Sequence, residues 1–265
     1  MKSAFCFVAL LLAGGKILSQ NPDSSRYIEV IYMKSTSMDF EKLEREIWKP
    51  INKQLIVDGK KSGWYFYKIK YPQGVKAEYE YVVVSAFKEW GLLTPSTSDL
   101  MTTIKKVNPD LTLESLIKLI KSTSEKRILV WTQLFRMQGM AVGHEAKPSK
   151  YVIANEVKTV AGQESEYVKM EQTYFKPFHT ARAAEGIMNN WGLYKREMPY
   201  GEKFASDYVT FNGYATWEDI TKQNPPTAWK TVHGNLNFNE VHDKILSKRM
   251  TVNVECWELV DYVVK

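Results

Sequence analysis

Two stretches of this chain carry the same uncommon residues in the same order, a constant 127 residues apart. Trp48-Lys49-Pro50-Ile51 is matched by Phe175-Lys176-Pro177-Phe178, and Gly59 by Gly186. Trp64 is matched by Trp191, Tyr67-Lys68 by Tyr194-Lys195, Pro72 and Gly74 by Pro199 and Gly201, and Trp90 by Trp217. No gap is needed across that stretch. Further on the offset shortens, and Lys126-Arg127 matches Lys248-Arg249. Trp and Pro recurring in register are poor candidates for chance. The chain therefore holds two copies of one unit, 21–137 and 151–265. The segment 138–150, with Gly139, Gly143 and Pro148, is expected to be the linker.

Each copy predicts the same elements. A β-like run (Tyr27 to Lys34; Tyr151 to Lys158) precedes a helix whose apolar residues Phe40, Leu43, Ile47, Ile51 and Leu55 fall on one face. Pro50 and Pro177 lie inside that helix and are expected to kink or break it. Gly59 and Gly186 read as its stops. Two strands around a Pro-Gly turn follow, Trp64 to Tyr71 with Glu78 to Phe87, and Trp191 to Met198 with Phe204 to Tyr214. After a variable loop come a second helix (Thr112 to Lys121; Asn237 to Leu246) and a last strand (Arg127 to Arg136; Arg249 to Val260). The order βαββαβ is the ferredoxin-like, split-βαβ unit. Runs such as Trp64-Tyr65-Phe66-Tyr67 carry bulk on both faces, so the sheet must be covered on both sides. The simplest second cover is the other copy.

On these residues and this order the chain resembles the dimeric α/β-barrel superfamily, in a tandem single-chain form similar to exported, uncharacterised bacterial members. The resemblance implies an α+β fold of two ferredoxin-like repeats packed sheet to sheet as a pseudo-dimer. It also implies that a ligand would sit between the helices and sheet of one unit. Cofactor-free monooxygenases, haem-degrading or haem-binding enzymes and proteins without known activity share this fold, which does not choose among them. Haem is compatible with the resemblance but has no motif behind it.

Composition is that of an ordinary globular protein, 44% apolar and 25% charged, and eight Trp with fifteen Tyr can fill large cores. Residues 1–20 differ. Met1-Lys2 is followed by an apolar run from Ala4 to Ala13, shorter than the roughly 20 residues a spanning helix needs. This reads as a secretory signal cut near Ser19 or Gln20, which places the mature protein in the periplasm or outside the cell with no membrane span. Its loss lowers the net charge from +6 to about +4. That excess is dispersed, without the basic stripe of a nucleic-acid face. Cys6 leaves with the signal, and Cys256, then alone, is expected to be a small buried apolar residue.

No phosphate loop, nucleophile elbow or HExxH motif is present. His144, His179, His233 and His242 lack metal-ligand spacing, so no metal is expected. The duplication supplies a different filter: residues that agree between copies serve the fold, and a residue that breaks an apolar pattern in one copy is a site candidate. Leu55 maps to Arg182, Asn52 to His179 and Ile117 to His242. A buried Arg needs a partner, either an anionic ligand or a carboxylate such as Asp207 or Glu197. Against this, Arg182 near a helix end can snorkel into water, and His242 can be a partly exposed core residue. Trp191 and Tyr194, repeated as Trp64 and Tyr67, are candidates on aromatic grounds, with core packing as the simpler role. Three readings follow: a binder of a small anionic or aromatic molecule in the second repeat, through His179, Arg182, His242, Trp191 and Tyr194; an enzyme of the cofactor-free monooxygenase or haem-related kind, with His179 or His242 as base or axial ligand; or a structural association domain.

Overall fold

The computed structural model describes residues 25–74, 77–93, 97–143, 148–201, 204–222 and 225–265. The expected signal segment and His144 lie outside them. The first repeat runs β1 (Tyr27–Ser35), α1 (Phe40–Leu43), α2 (Lys49–Val57), β2 (Gly63–Tyr71), β3 (Tyr81–Phe87), α3 (Thr97–Val107), α4 (Leu113–Glu125) and β4 (Arg127–Val142). The second runs β5 (Tyr151–Thr159), α5 (Glu164–Met170), α6 (Lys176–Ala184), β6 (Asn190–Met198), β7 (Tyr208–Tyr214), α7 (Trp217–Thr221), α8 (Pro225–His233), α9 (Phe238–Leu246) and β8 (Arg249–Val264).

All eight strands close into one antiparallel barrel in the order β1-β3-β2-β8-β5-β7-β6-β4. Each repeat contributes the order 4-1-3-2 of a ferredoxin-like sheet. The sixteen-residue strands β4 and β8 do the joining. One part of β4 pairs with β1 and another with β6, while β8 pairs with β5 and β2. Among the described residues each strand pairs with a neighbour on both sides, which limits edge-to-edge association. The segment 138–142, expected as linker, is therefore strand. Val142 is in register with Asn190, and a bulge between Met137 and Gly139 re-aims the strand toward the second repeat.

Pro50 and Pro177 do not break their helices. In both copies a π turn, Glu44–Trp48 or Glu171–Phe175, widens the helix just before the proline, and the chain continues as α2 or α6. A proline has no N–H for the i−4 carbonyl, and the wider turn accommodates that loss. Gly59 and Gly186 then stop the helices in the left-handed conformation, at φ of 72° and 71°. The segments before α4 and α9, expected to be variable loops, hold three further helices, α3, α7 and α8.

The alternation of strand side chains makes two kinds of core. Inward residues such as Val30, Tyr67, Val82, Phe135, Val209 and Trp257 fill the barrel. Outward residues meet the helices: Trp191, Leu193 and Tyr208 pack under Tyr167, Phe178, Trp229 and Ile245 in the second repeat. Cys256 is buried, as expected. Among the described residues no helix is long and apolar enough to cross a membrane.

Candidate functional site

A cavity of about 290 Å³ lies between α6, α9 and the outer sheet face of the second repeat. His179, Arg182, Trp191 and His242 all line it. Tyr194 does not. It stands three residues from Trp191 on the same strand, so the two rings point to opposite faces, and Tyr194 packs inside the barrel.

Arg182 takes the core position that Leu55 holds in the first repeat; it is 9% exposed and Leu55 is 4%. Its guanidinium lies over the Phe178 ring at 5.5 Å, and its Nη1 is 3.4 Å from His179 Nδ1. An Arg can only donate, so His179 Nδ1 accepts and the ring proton sits on Nε2. The imidazole stacks on Trp191, with centroids 5.1 Å apart and planes at 18°. Burial, reinforced by the Arg182 charge, pushes the His179 pKa down to about 3. It is therefore a neutral ring at physiological pH. The Nε of Arg182 is buried and has no hydrogen-bond partner. Neither expected carboxylate reaches it: Asp207 bonds to Lys158 and Thr159, and Glu197 to Arg136.

Three features of the cavity went unread in the sequence. Glu171, the first residue of the π turn, is 4% exposed, and burial raises its pKa to about 7 against the opposing charge of Arg249. Arg249 lies at the start of β8. It gives Nη1 to the Thr251 hydroxyl, and its buried Nε has no partner. Asn155 and Thr210, bonded to each other at 3.2 Å, put polar atoms on the floor where the first repeat has Ile31 and Val83. The Asn155 and Thr210 substitutions break an apolar pattern and were open to the comparison of copies. Glu171 was not, because Glu44 stands at the same place in the first repeat.

His242 lines the cavity for a reason other than the expected one. Its counterpart Ile117 is 55% exposed, so no core pattern is broken there. His242 instead stacks on Phe238, with centroids 5.5 Å apart. His233 sits apart, with Nε2 2.9 Å from the Tyr174 carbonyl. Among the described residues no group of His, Cys, Asp and Glu is placed to hold a metal ion. A larger open trough of about 990 Å³ beside β2 is lined by Glu41, Lys68 and Tyr81, but Glu41 pairs with both others, at 3.2 and 3.0 Å. It leaves fewer unmet groups for a ligand.

No family model matches the sequence, and no curated protein matches it. Solved structures share the fold. A "putative monooxygenase" from Lactobacillus acidophilus superposes with a TM-score of 0.58 at 7% identity, covering 91% of this chain and 97% of its own. One from Fusobacterium nucleatum gives 0.57 at 8% identity, covering 91% and 95%. At such identities the likeness is one of fold, and the fold is a dimeric α/β barrel, built here as a pseudo-dimer within one chain.

Proposed function

We propose that the second repeat binds a small organic anion carrying an aromatic ring. The observation that carries this reading is the pair of guanidiniums, Arg182 and Arg249, each lining the cavity with a buried Nε that has no partner. An unmet buried donor costs about 1–3 kcal/mol, more for a charged group, and a ligand oxygen would remove that cost. Two cations face one carboxyl, Glu171, so the cavity favours negative charge. Trp191, Phe175, Phe178 and Phe238 supply faces and edges for a ring. A volume near the lower end of the roughly 300–1,000 Å³ range of small-molecule sites suits a single-ring carboxylate. The same size disfavours a haem, and neither histidine is offered as an axial ligand: both rings are stacked on aromatics, and His179 Nδ1 is committed to Arg182.

The test is calorimetric titration of the purified protein with benzoate and phenylacetate against their neutral amides. Acids that bind, amides that do not, and loss of binding in Arg182→Leu are expected. Equal binding of acid and amide sinks the reading.

Glu171 favours a second reading. Unlike Glu44, which burial raises to the same value of about 7 but which is closed on Arg127, Glu171 faces the cavity, where a carboxyl of that pKa can work as a general base near neutrality. On that reading it takes a proton from an O–H of a bound quinol-like compound; dioxygen accepts two electrons, the other hydroxyl proton and the proton Glu171 returns, leaving hydrogen peroxide and the quinone with no cofactor. Oxygen uptake abolished by Glu171→Gln while the acid still binds would support it; no oxygen uptake with any quinol removes it. We also propose export, on the pattern of Met1 to Gln20. A mature protein recovered from the cytoplasm with Met1 intact would contradict it.

A further inference from the structure

The barrel interior holds a second cavity, of about 470 Å³, facing the opposite side of the sheet from the anion site. We infer that this lumen binds a neutral, flat aromatic molecule carrying a carbonyl oxygen. Three phenols reach it: Tyr65 and Tyr67 from β2 and Tyr194 from β6. Tyr67 is 7% exposed. None of the three hydroxyls has a hydrogen-bond partner among the described residues, while other interior tyrosines do: Tyr79 bonds to Glu255 and Tyr32 to Gln133. Burial and the proximity of Tyr65 and Tyr194 push the Tyr67 pKa upward, so the phenols stay protonated and act as donors.

The walls are rings. Tyr65 and Tyr67 stack at 6.4 Å, and Phe211 contacts Tyr194 and Trp257 at 5.6 and 5.3 Å. A Cβ at Gly192 would come within 2.7 Å of the Tyr194 ring, so the missing side chain there makes room for that ring. The polar groups near the lumen are already met: the Trp257 indole N–H donates to Glu255 at 2.8 Å, and Arg196, Ser206 and Glu156 bond to one another. Among the described residues the one charged side chain lining the cavity is that of Lys265. Among the described residues an anion would find no buried cation, whereas a carbonyl oxygen would meet phenol donors and an aromatic body would meet rings. Mouths of β-barrels are common ligand sites.

The probe is the neutral naphthyl ketone Prodan, titrated into the full protein by fluorescence. Saturable binding with blue-shifted emission is expected. The paired change Tyr67→Phe with Tyr194→Phe keeps both rings and should weaken binding about tenfold, the value of one to two lost hydrogen bonds. Met140→Trp should block the cavity, with near-ultraviolet dichroism confirming the fold. Arg182→Leu should leave Prodan binding unchanged, which separates this site from the anion site. Absence of saturable binding, equal affinity in the Tyr→Phe pair, or displacement of Prodan by benzoate would each overturn the inference.

Discussion

The two repeats treat the same buried acid and base in different ways. In the first, Arg127 closes on Glu44 at 2.6 Å, lies 5.4 Å from the Trp48 ring, and the space above is packed by Ile51, Leu55, Ile104 and Leu116. In the second, the matching Glu171 and Arg249 do not form that pair, Phe175 replaces Trp48, and Arg182 replaces Leu55. One copy closes its polar groups on each other, Glu44 on Arg127 and the Lys61 ammonium on Asn52 and Ser85 where the second repeat has His179 and Asn212, and packs the rest with hydrocarbon. The other leaves guanidinium donors unmet around a cavity. Duplication makes this division possible: one half stabilises the barrel while the other carries the cost of a site.

Breaking the closed pair should have the largest effect. Arg127→Met leaves the Glu44 side chain, 2% exposed, buried without its cation, at a cost of about 3–5 kcal/mol. For a chain of this size that is a fall in Tm of roughly 10 °C, read by differential scanning calorimetry. Arg249→Met, with no closed pair to break, should cost no more than about 1 kcal/mol. Equal losses in the two variants would mean that the open pair is as structural as the closed one.

The next effect has the opposite sign. Arg182→Leu restores the residue of the first repeat and replaces an incompletely bonded buried charge by hydrocarbon. The ligand-free protein should gain about 1–3 kcal/mol and lose all thermal response to benzoate. Gain of stability with loss of binding is the signature of a residue kept for a ligand. A destabilised variant would return Arg182 to a purely structural role.

How much of this was legible in the sequence follows from what periodicity records. The element order and both ferredoxin-like units were readable because spacing by two and by three or four survives in both copies. The π turns were not, because one extra residue per turn is absorbed between Leu43 and Ile47 without disturbing the apolar face. The end of β4 was hidden by Gly139 and Gly143, which look like linker yet lie in or beside a strand. Arg182 was found because it interrupts a true core position. Ile117 misled because an apolar residue in a helix need not be buried. Tyr194 was grouped with Trp191 although a separation of three along a strand puts them on opposite faces. Glu171 was invisible because its chemistry lies in the partner it fails to meet.

The smallest effect per unit change is in pH, and it tests the two titrating groups of the open site separately. Burial raises Glu171 to about 7, so between its ordinary value near 4.5 and 7 the folded state holds a proton that the unfolded state has lost. Stability from this group therefore falls as pH rises through that window, by roughly 1.4 kcal/mol per unit. His179, pushed down to about 3 from 6.5, does the reverse. Below pH 6.5 the unfolded state takes up a proton that the folded state refuses, so stability falls as pH drops toward 3, at a similar slope. From about pH 4.5 to 6.5 the two slopes oppose each other in the wild type. Glu44, which burial also raises to about 7, adds a second slope falling with pH, so each single variant is read against it. Glu171→Gln should flatten the pH dependence across that range, the Glu44 and His179 slopes then cancelling. His179→Asn, the residue of the first repeat, should become less stable as pH rises. Urea midpoints measured at half-unit steps of pH would show the two curves crossing. Parallel curves would mean that neither group is held as the cavity geometry requires, and that the second repeat is no more open to charge than the first.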